Sequence, residues 1–257
     1  MHFTHLNLAG LLSALCAYEL QWLSARYGFP ESELKRIRDV VHGPVPVKRG
    51  DVICRQGEVG EAIYAVASGS FKASAADANG RELVGDLYFE EDFLGLESLG
   101  RRPFQFTIEA LEPGSVFRLA VADLTAAQVD VPGLERELLA LVSREVWRRS
   151  EHRLLLGERD AASRLAAFLE YLSRRERDRG RDPATFRLQM RRQDIAAFLG
   201  LATETVSRLF KRFARREVLE VKSRRVRLRD PGSIARLAGR KYLPVLLAAL
   251  AALELAP

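Results

Sequence analysis

Between positions 203 and 212 the polar side chains carry functional groups that can bind a nucleic acid. Six of them supply one carboxylate, two hydroxyls and three cations: Thr203, Glu204, Ser207, Arg208, Lys211 and Arg212. A carboxylate accepts a hydrogen bond from the amino group of cytosine, and a guanidinium donates two hydrogen bonds to guanine. Cationic side chains also bind phosphate. The stretch can therefore read base edges and hold a nucleic-acid backbone.

Such side chains need a helix that presents them together, and positions 192–213 have the pattern of a helix-turn-helix. Gly200 lies where the chain must turn sharply, often with a positive φ that glycine adopts without strain. Apolar residues at helical spacing supply the inner faces of two helices, at Ile195, Ala196, Leu199, Val206, Leu209 and Phe210. The alternative is an ordinary helical hairpin with a solvated charged face. Because the small residue, the glycine and the apolar positions fall in register, the pattern favours the helix-turn-helix.

Cations flank this motif on both sides. Arg191 and Arg192 open its first helix, where the helix dipole repels positive charge unless a phosphate lies there. After the motif, two short alternating segments enclose a basic turn, which is the outline of a wing. The residues expected to hold phosphates are Arg191, Arg192, Thr203, Lys211, Arg212, Arg224 and Arg225.

Charge is distributed unevenly along the 257 residues. The chain carries 40 Lys+Arg and 34 Asp+Glu. Residues 1–158 hold 17 of the cations and 23 of the acids, whereas residues 159–230 hold 20 and 10. A basic segment that contains the helix-turn-helix, behind an acidic segment, is typical of a nucleic-acid-binding domain attached to a separate regulatory domain.

Composition and motifs argue against several other classes of protein. Hydrophobic residues make up 47% of the chain, enough for a folded core. The first 20 residues lack the pattern of a secretory signal, and the apolar stretch 243–253 is too short to span a bilayer. Two cysteines fit a reducing cytoplasm, and no residues have the spacing of a nucleophile–base pair. We therefore expect a cytoplasmic protein with no membrane partner and no enzymatic activity.

In the remaining segments, the spacing of the apolar residues changes between that of helices and that of strands. A short helix is predicted over 31–41, and 46–119 then alternates short β runs with glycines, including the hairpin signal Asn79-Gly80. Many short strands with turn glycines are typical of an antiparallel barrel or roll. Helical spacing returns over 134–156 and 160–177, so the fold class is α+β.

Three segments together resemble a known family. The runs 46–51 (PVKRGD), 57–58 (GE) and 63–69 (IYAVASG) look like the first strands of the cyclic-nucleotide-binding jelly roll. With the long helix and the winged helix-turn-helix behind them, their order resembles the Crp–Fnr family of bacterial transcription regulators. The resemblance implies a homodimer that binds double-stranded DNA, with RNA polymerase as a further partner.

The resemblance also implies a division of the chain into parts. We expect an N-terminal arm over 1–30, a β-roll sensor over 31–125, a dimerisation helix over 126–157, a winged helix-turn-helix over 158–240 and a tail over 241–257.

Within that family, positions 204–208 (ETVSR) resemble the Glu-x-x-Ser-Arg signature of the Fnr branch, which reads a palindrome with TTGAT-type half-sites. The resemblance implies that Glu204, Ser207 and Arg208 read bases. The alternatives are that Glu204 is a first-turn helix charge and that Arg208 clamps a phosphate.

The chain departs from nucleotide-binding members of the family at the phosphate site. Leu96 follows Gly95 where those members have glutamate, and Phe104 and Gln105 stand in place of their Arg-Ser pair. No arginine at these positions would neutralise a buried phosphate, although Arg101 and Arg102 lie close by along the chain. A cyclic-nucleotide-dependent regulator is the first alternative function.

The cysteines that hold a cluster in oxygen-sensing members are missing as well. Tyr18, Ser24 and Phe117 stand at the expected cysteine positions, and two thiols cannot ligate a four-cysteine iron–sulfur cluster. A haem or redox sensor is the second alternative, with candidate ligands His2, His5, His42, Cys16 and Cys54. The apolar neighbours of Cys54 favour an inert buried thiol. The effector is unknown.

The long helix carries the residues expected to join two protomers. The expected pairing face consists of Leu138, Leu139, Val142, Val146, Arg149 and Arg153. Arg148, Arg149, His152 and Arg153 would bring like charges together across such a pair, which would weaken the resting dimer until a signal tightens it. In the alternative, the arginines point to solvent or pair with Glu145 and Glu151.

Overall fold

The computed structural model describes residues 11, 12, 15, 20–27, 30–76, 82–130, 134–156 and 160–238. These residues divide into two compact units, with the division between Arg149 and Ser150. Within the described ranges, no helix is both long enough and apolar enough to cross a bilayer.

The first unit is a β-roll with helices at both ends. It begins with α1 (Leu20–Tyr27) and α2 (Glu31–Asp39). The strands are β1 (Val41–Val47), β2 (Val52–Cys54), β3 (Ala62–Ser68), β4 (Ser70–Ala76), β5 (Glu82–Phe89), β6 (Phe93–Leu94), β7 (Thr107–Ala110) and β8 (Gly114–Ala120). A 3-10 helix, Leu96–Gly100, lies between β6 and β7, and α3 (Val121–Asp130) and the first part of α4 (Leu134–Leu156) follow β8.

Two antiparallel four-stranded sheets form the roll. Their orders are β1-β8-β3-β6 and β2-β7-β4-β5. One core lies between the sheets, where Phe71 on β4 is fully buried and stands opposite Ala110 on β7. A second core joins the roll to the helices and includes Leu34, Leu124 and Leu134. The helices that bracket the roll are therefore anchored to it by buried apolar contacts.

The second unit contains the predicted helix-turn-helix. Its elements are α5 (Ala161–Asp178), β9 (Thr185–Arg187), α6 (Arg192–Leu199), α7 (Thr203–Arg215), β10 (Leu219–Lys222), β11 (Arg225–Leu228) and α8 (Pro231–Leu237). The three strands form one antiparallel sheet in the order β10-β11-β9. Leu165, Phe168, Ile195 and Val206 are each completely buried in this unit.

The α+β class, the roll, the long helix and the wing are confirmed, with differences at individual elements. Helix α2 ends at Asp39 instead of extending to Val41, because Val41 pairs with Leu119 as the first residue of β1. Residues 126–130, expected in the dimerisation helix, belong to α3, and strand β9 was not predicted. The Asn79-Gly80 turn, positions 1–10 of the arm and the tail 241–257 lie outside the described residues.

Candidate nucleic-acid interface

Helix α5 supports the two helices that follow it. The Asp160 carboxylate caps α5, because its Oδ1 accepts the backbone N–H of Ala162 at 2.8 Å. The rings of Phe168 on α5 and Phe198 on α6 pack with their centroids 5.6 Å apart. Arg164 Nη1 donates to the carbonyl of Leu199 at 3.2 Å, at the C-terminal end of α6. These contacts hold α6 against the core of the second unit.

Helix α6 begins and ends with defined backbone contacts. The backbone N–H of Arg191 donates to Asp194 Oδ2 at 2.9 Å, which satisfies one donor at the helix start. Gly200 ends the helix with φ +62°, and the N–H of Leu201 returns to the carbonyl of Ala196 at 2.9 Å. A side chain would be strained at that φ, so the turn favours glycine. The predicted turn at Gly200 is confirmed.

Helix α7 buries one face completely. Val206, Leu209, Phe210 and Phe213 are at most 6% exposed and follow a spacing of three and four residues. Ala202 occupies the N-cap position, and no side chain caps the helix there. The position of α7 is therefore set by its apolar face.

The predicted base-reading residues lie together on the opposite face of α7. Glu204, Ser207, Arg208 and Lys211 follow the i, i+3, i+4, i+7 spacing, which places them along one strip of the helix. Glu204 and Arg208 are exposed, and Ser207 is half-buried. Arg208 Nη2 donates to Thr205 Oγ1 at 3.3 Å, a long hydrogen bond within the helix. The strip can reach an external partner, and its contact with bases remains a prediction.

Arg192 differs from the other predicted phosphate ligands. Its guanidinium carbon lies 3.4 Å from the ring centroid of Phe210, so it joins α6 to α7 by a cation–π contact. Burial lowers the pKa of Arg192. By contrast, Arg191, Lys211 and Arg212 are exposed. Arg192 therefore has a packing role that the sequence did not predict, and its phosphate contact remains a prediction.

Strands β10 and β11 form the predicted wing. Lys222 stands opposite Arg225 at its end, and Ser223, with φ +56°, lies in the turn. The carbonyl of Arg224 accepts the backbone N–H of Leu188 at 2.7 Å, which holds the turn close to the segment that leads into α6. Arg225 is exposed and Arg224 is half-buried.

Helix α4 exposes an apolar strip. Leu139, Val142, Val146 and Trp147 are 63%, 37%, 61% and 38% exposed. Leu138 was expected on the same face, but it is 6% exposed and packs in the core beside Leu134 and Leu141. Although Leu138 lies one helical turn before Val142, its side chain is buried in the core that joins α4 to the roll. The side chain of Arg153 lies outside the described residues.

The other side of α4 binds the roll through buried charges. Arg148 Nη1 and Nη2 donate to the two carboxylate oxygens of Asp86 on β5, each at 2.6 Å, and Nη2 donates to Glu145 Oε1 at 2.7 Å. The guanidinium carbon lies 4.5 Å from the ring centroid of Tyr88. Burial lowers the pKa of Arg148, but Asp86 and Glu145 outweigh burial and hold that pKa above its usual value. We call Asp86, Glu145 and Arg148 the ion cluster.

Arg149 extends these contacts to the 3-10 helix. Its Nε lies 3.0 Å from Glu145 Oε1, and its Nη2 lies 3.4 Å from Glu97 Oε1. The expected pairing with Glu145 is confirmed, whereas Glu151 lies outside the residues with described side chains. Arg148 and Arg149 therefore have carboxylate partners within the same unit, as the alternative expected, and the weak resting dimer stays a prediction.

Comparisons with known proteins agree on both units. Residues 163–237 match the Crp-like helix-turn-helix domain, and residues 44–128 match the cyclic nucleotide-binding domain. The transcriptional activator protein Anr of Pseudomonas protegens is 33% identical over 207 residues, which cover 80% of this chain and 85% of that protein. The fumarate and nitrate reduction regulatory protein of Escherichia coli K12 is 32% identical over 209 residues, or 81% of this chain and 84% of that protein.

A solved structure gives the same result. FixK2 from Bradyrhizobium japonicum superposes with a TM-score of 0.68 at 28% identity, covering 75% of this chain and 95% of FixK2. The chain belongs to the Crp–Fnr family. It is a DNA-binding transcription regulator, and the resemblance found in its sequence is confirmed.

In this Crp–Fnr regulator an aromatic ring occupies the roll beside Gly95. Phe104 is 7% exposed and packs in the core between the sheets. A Cβ at Gly60 would overlap its ring, and a Cβ at Gly95 would lie 3.2 Å from it. Arg101 and Arg102, which the sequence offered as substitutes for the missing arginine, are exposed. The space beside Gly95 is therefore filled, by the ring of Phe104 and the sulfur of Cys54.

The candidate metal and haem ligands do not assemble in the described part of the regulator. His42 is exposed, and its Nε2 lies 3.8 Å from Asp123 Oδ2. Among the described residues, no group of three His, Cys, Asp or Glu side chains could hold a metal ion. His2, His5 and Cys16 lie outside those residues.

Cys54 is a buried thiol in the interior of the roll. It is 2% exposed, and burial raises its pKa to about 12. Because the thiolate is the reactive form, we expect folded Cys16→Ser protein not to react with a chromogenic disulfide reagent at pH 8. One thiol should react after denaturation, and none in a Cys16→Ser/Cys54→Ala control. Rapid reaction of the folded Cys16→Ser protein would contradict the protected position of Cys54.

Sequence reasoning missed two features of this regulator. Arg215 lies seven residues after Arg208 and therefore shares the exposed strip of α7. Continuing the helical spacing of the strip for two turns beyond Arg208 predicts this position. Asp86 gave no such signal, because its partner Arg148 lies 62 positions further along the chain.

Proposed function

We propose that this regulator binds, as a homodimer, a palindrome with TTGAT-type half-sites, and that α7 of each protomer enters the major groove. The single observation that carries the proposal is the outward strip of exposed Glu204 and Arg208 with half-buried Ser207, on a helix whose other face is buried. A major groove admits an α-helix and presents a different pattern of donors and acceptors for each base pair.

Each side chain of the strip has a role that fits its chemistry. The Arg208 guanidinium donates to O6 and N7 of a guanine, and the Glu204 carboxylate accepts from N4 of a cytosine. Ser207 can donate or accept and is therefore less selective. The hydrogen bond that Arg208 donates to Thr205 is long, at 3.3 Å, so a DNA contact can replace it at little cost.

Cations around the strip bind the phosphate backbone of the DNA. Exposed Arg191, Lys211, Arg212 and Arg225 meet phosphates, together with the half-buried Thr203 and Arg224. Arg192 supports them from its position on Phe210 and is the remaining phosphate candidate. Such contacts set the register of the protein on the duplex without reading sequence, and they weaken as salt rises.

The exposed strip of α4 joins the two protomers. Leu139, Val142 and Val146 recur at a spacing of three and then four residues, so a second copy of the helix can cover all three. Arg149 and Arg153 border this contact in our proposal. RNA polymerase is the further partner that the family resemblance implies.

The proposed regulator needs no cyclic nucleotide. Phe104 occupies the space beside Gly95, and the arginines nearest along the chain point outward. A buried phosphate would therefore lack a partner, at a high cost in free energy.

A binding titration tests the function directly. Protein purified in air without ligand should bind the palindrome tightly at one fixed salt concentration. Replacing the guanine of a half-site should raise the Kd by roughly tenfold, because a bidentate arginine contact contributes about 1–3 kcal/mol of discrimination. The matched control carries the same number of base changes between the half-sites. Weak binding that is equal on all three duplexes would contradict the proposed function.

A further inference from the structure

The sheet of the second unit carries a row of cations on its outer face. Arg187 on β9 stands opposite Arg225 on β11, and Arg225 stands opposite Lys222 on β10. One step along the same face, Arg227 stands opposite Thr185. We call Arg187, Lys222, Arg225 and Arg227 the cation face.

Alternation along the strands separates this face from the core. Phe186, Val226 and Leu228 are 6%, 0% and 4% exposed and point inward. Residues directly before or after them must point the opposite way, because side chains alternate across a strand. Arg187, Arg225 and Arg227 are accordingly exposed.

Among the described residues, Lys222 is the one member of the cation face with an acidic partner. Glu220, opposite Arg227, already binds Lys222 Nζ at 2.9 Å and Arg229 Nη2 at 2.7 Å. In the same described part of the chain, no carboxylate lies within ion-pair distance of Arg187, Arg225 or Arg227. Like charges directly opposite each other destabilise a sheet. The arrangement therefore favours an anionic partner that covers several neighbouring cations at once.

We propose that the cation face binds the phosphate backbone of the duplex that flanks the palindrome. Duplex DNA presents closely and regularly spaced negative charges, and guanidinium groups bind phosphate through two parallel hydrogen bonds. The face is continuous with the wing, because Arg225 belongs both to the face and to the predicted phosphate ligands. The inference rests on the proposed function, since the palindrome positions the sheet beside its flanks.

The test compares full-length wild type with an Arg187→Gln/Arg227→Gln variant on two duplexes. One duplex ends at the palindrome, and the other continues for about one helical turn, roughly 10 bp, on each side. Binding is titrated at several salt concentrations from about 50 to 200 mM, where phosphate contacts have large effects. Arg236→Gln is the matched control, because Arg236 is 71% exposed in the same unit but lies on α8.

On the long duplex, the slope of log Kd against the logarithm of the salt concentration should be about 3 to 4 units smaller for the variant than for wild type. Four phosphate contacts disappear per dimer, and each contributes about 0.9 to the slope. The slope on the short duplex, the preference for the palindrome and the behaviour of Arg236→Gln should stay unchanged, because phosphate contacts do not read sequence.

Two results would overturn the inference. An unchanged slope on both duplexes would mean that the cation face meets another partner, and an equal fall on both would mean that it contacts the palindrome itself. If wild type does not prefer the palindrome, the proposed function fails, and the slope difference on the long duplex still tests whether the face binds DNA.

Discussion

Replacing Arg208 with alanine should raise the Kd for the palindrome by at least about thirtyfold and make binding indifferent to its guanines. Each half-site loses a bidentate contact that contributes about 1–3 kcal/mol, so the dimer loses about 2–6 kcal/mol. Because Arg208 is exposed and its hydrogen bond to Thr205 is long, at 3.3 Å, the fold should be unaffected. Titrations of the palindrome and of the guanine-replaced site, at one salt concentration, measure both effects.

Lys211→Ala is the matched control for this experiment. Lys211 lies one turn further along the same strip of α7, and we assign it to a phosphate. Its removal should weaken binding to both duplexes equally and keep the preference for guanine. If Arg208→Ala behaves like Lys211→Ala, Arg208 clamps a phosphate and the proposed reading of guanine is incorrect.

Replacing Arg148 with methionine should lower the free energy of unfolding by about 3–5 kcal/mol. The substitution leaves the carboxylates of Asp86 and Glu145, 8% and 10% exposed, without their shared cation in the interior. It also removes the contact of the guanidinium with the Tyr88 ring. Denaturant unfolding of the full-length protein, monitored by circular dichroism, measures the loss.

Two further variants distinguish the effect of breaking the ion cluster from the effect of removing any positive charge from α4. Arg144 is exposed on the same helix, so Arg144→Met should change the free energy of unfolding by no more than about 0.5 kcal/mol. Adding Asp86→Asn to Arg148→Met should recover part of the stability, because the buried Asp86 side chain is then neutral while Glu145 keeps its contact with Arg149. A loss below about 1 kcal/mol in Arg148→Met would show that the ion cluster does not hold α4 to the roll.

The helix-turn-helix was predictable because its determinants are local. Gly200, the apolar positions of α6 and α7 and the polar strip all lie within 22 consecutive residues. Helical periodicity then places Glu204 and Arg208 on one face without any knowledge of the rest of the chain. The packing of Arg192 on Phe210 was not predictable in this way, because it depends on how closely α6 and α7 approach.

In the roll, the sequence showed which residues stand in place of the missing ones but not where their side chains lie. Phe104 stands where nucleotide-binding members have arginine, yet only the structure shows its ring beside Gly60 and Gly95. Similarly, the periodicity of α4 did not reveal that Arg148 turns towards Asp86, since that contact joins residues 62 positions apart. Contacts between distant segments depend on strand order and on helix orientation, which a single sequence does not encode locally.

The central claim is that Arg208 reads a guanine through O6 and N7, and a single-atom change in the DNA tests it most directly. Replacing the guanine of each half-site by 7-deazaguanine removes the N7 acceptor and keeps O6 and base pairing. Wild type should bind this palindrome at least several-fold more weakly than the unmodified one, whereas Arg208→Ala should bind both equally. Equal binding by wild type, or the same loss in Arg208→Ala, would contradict the account.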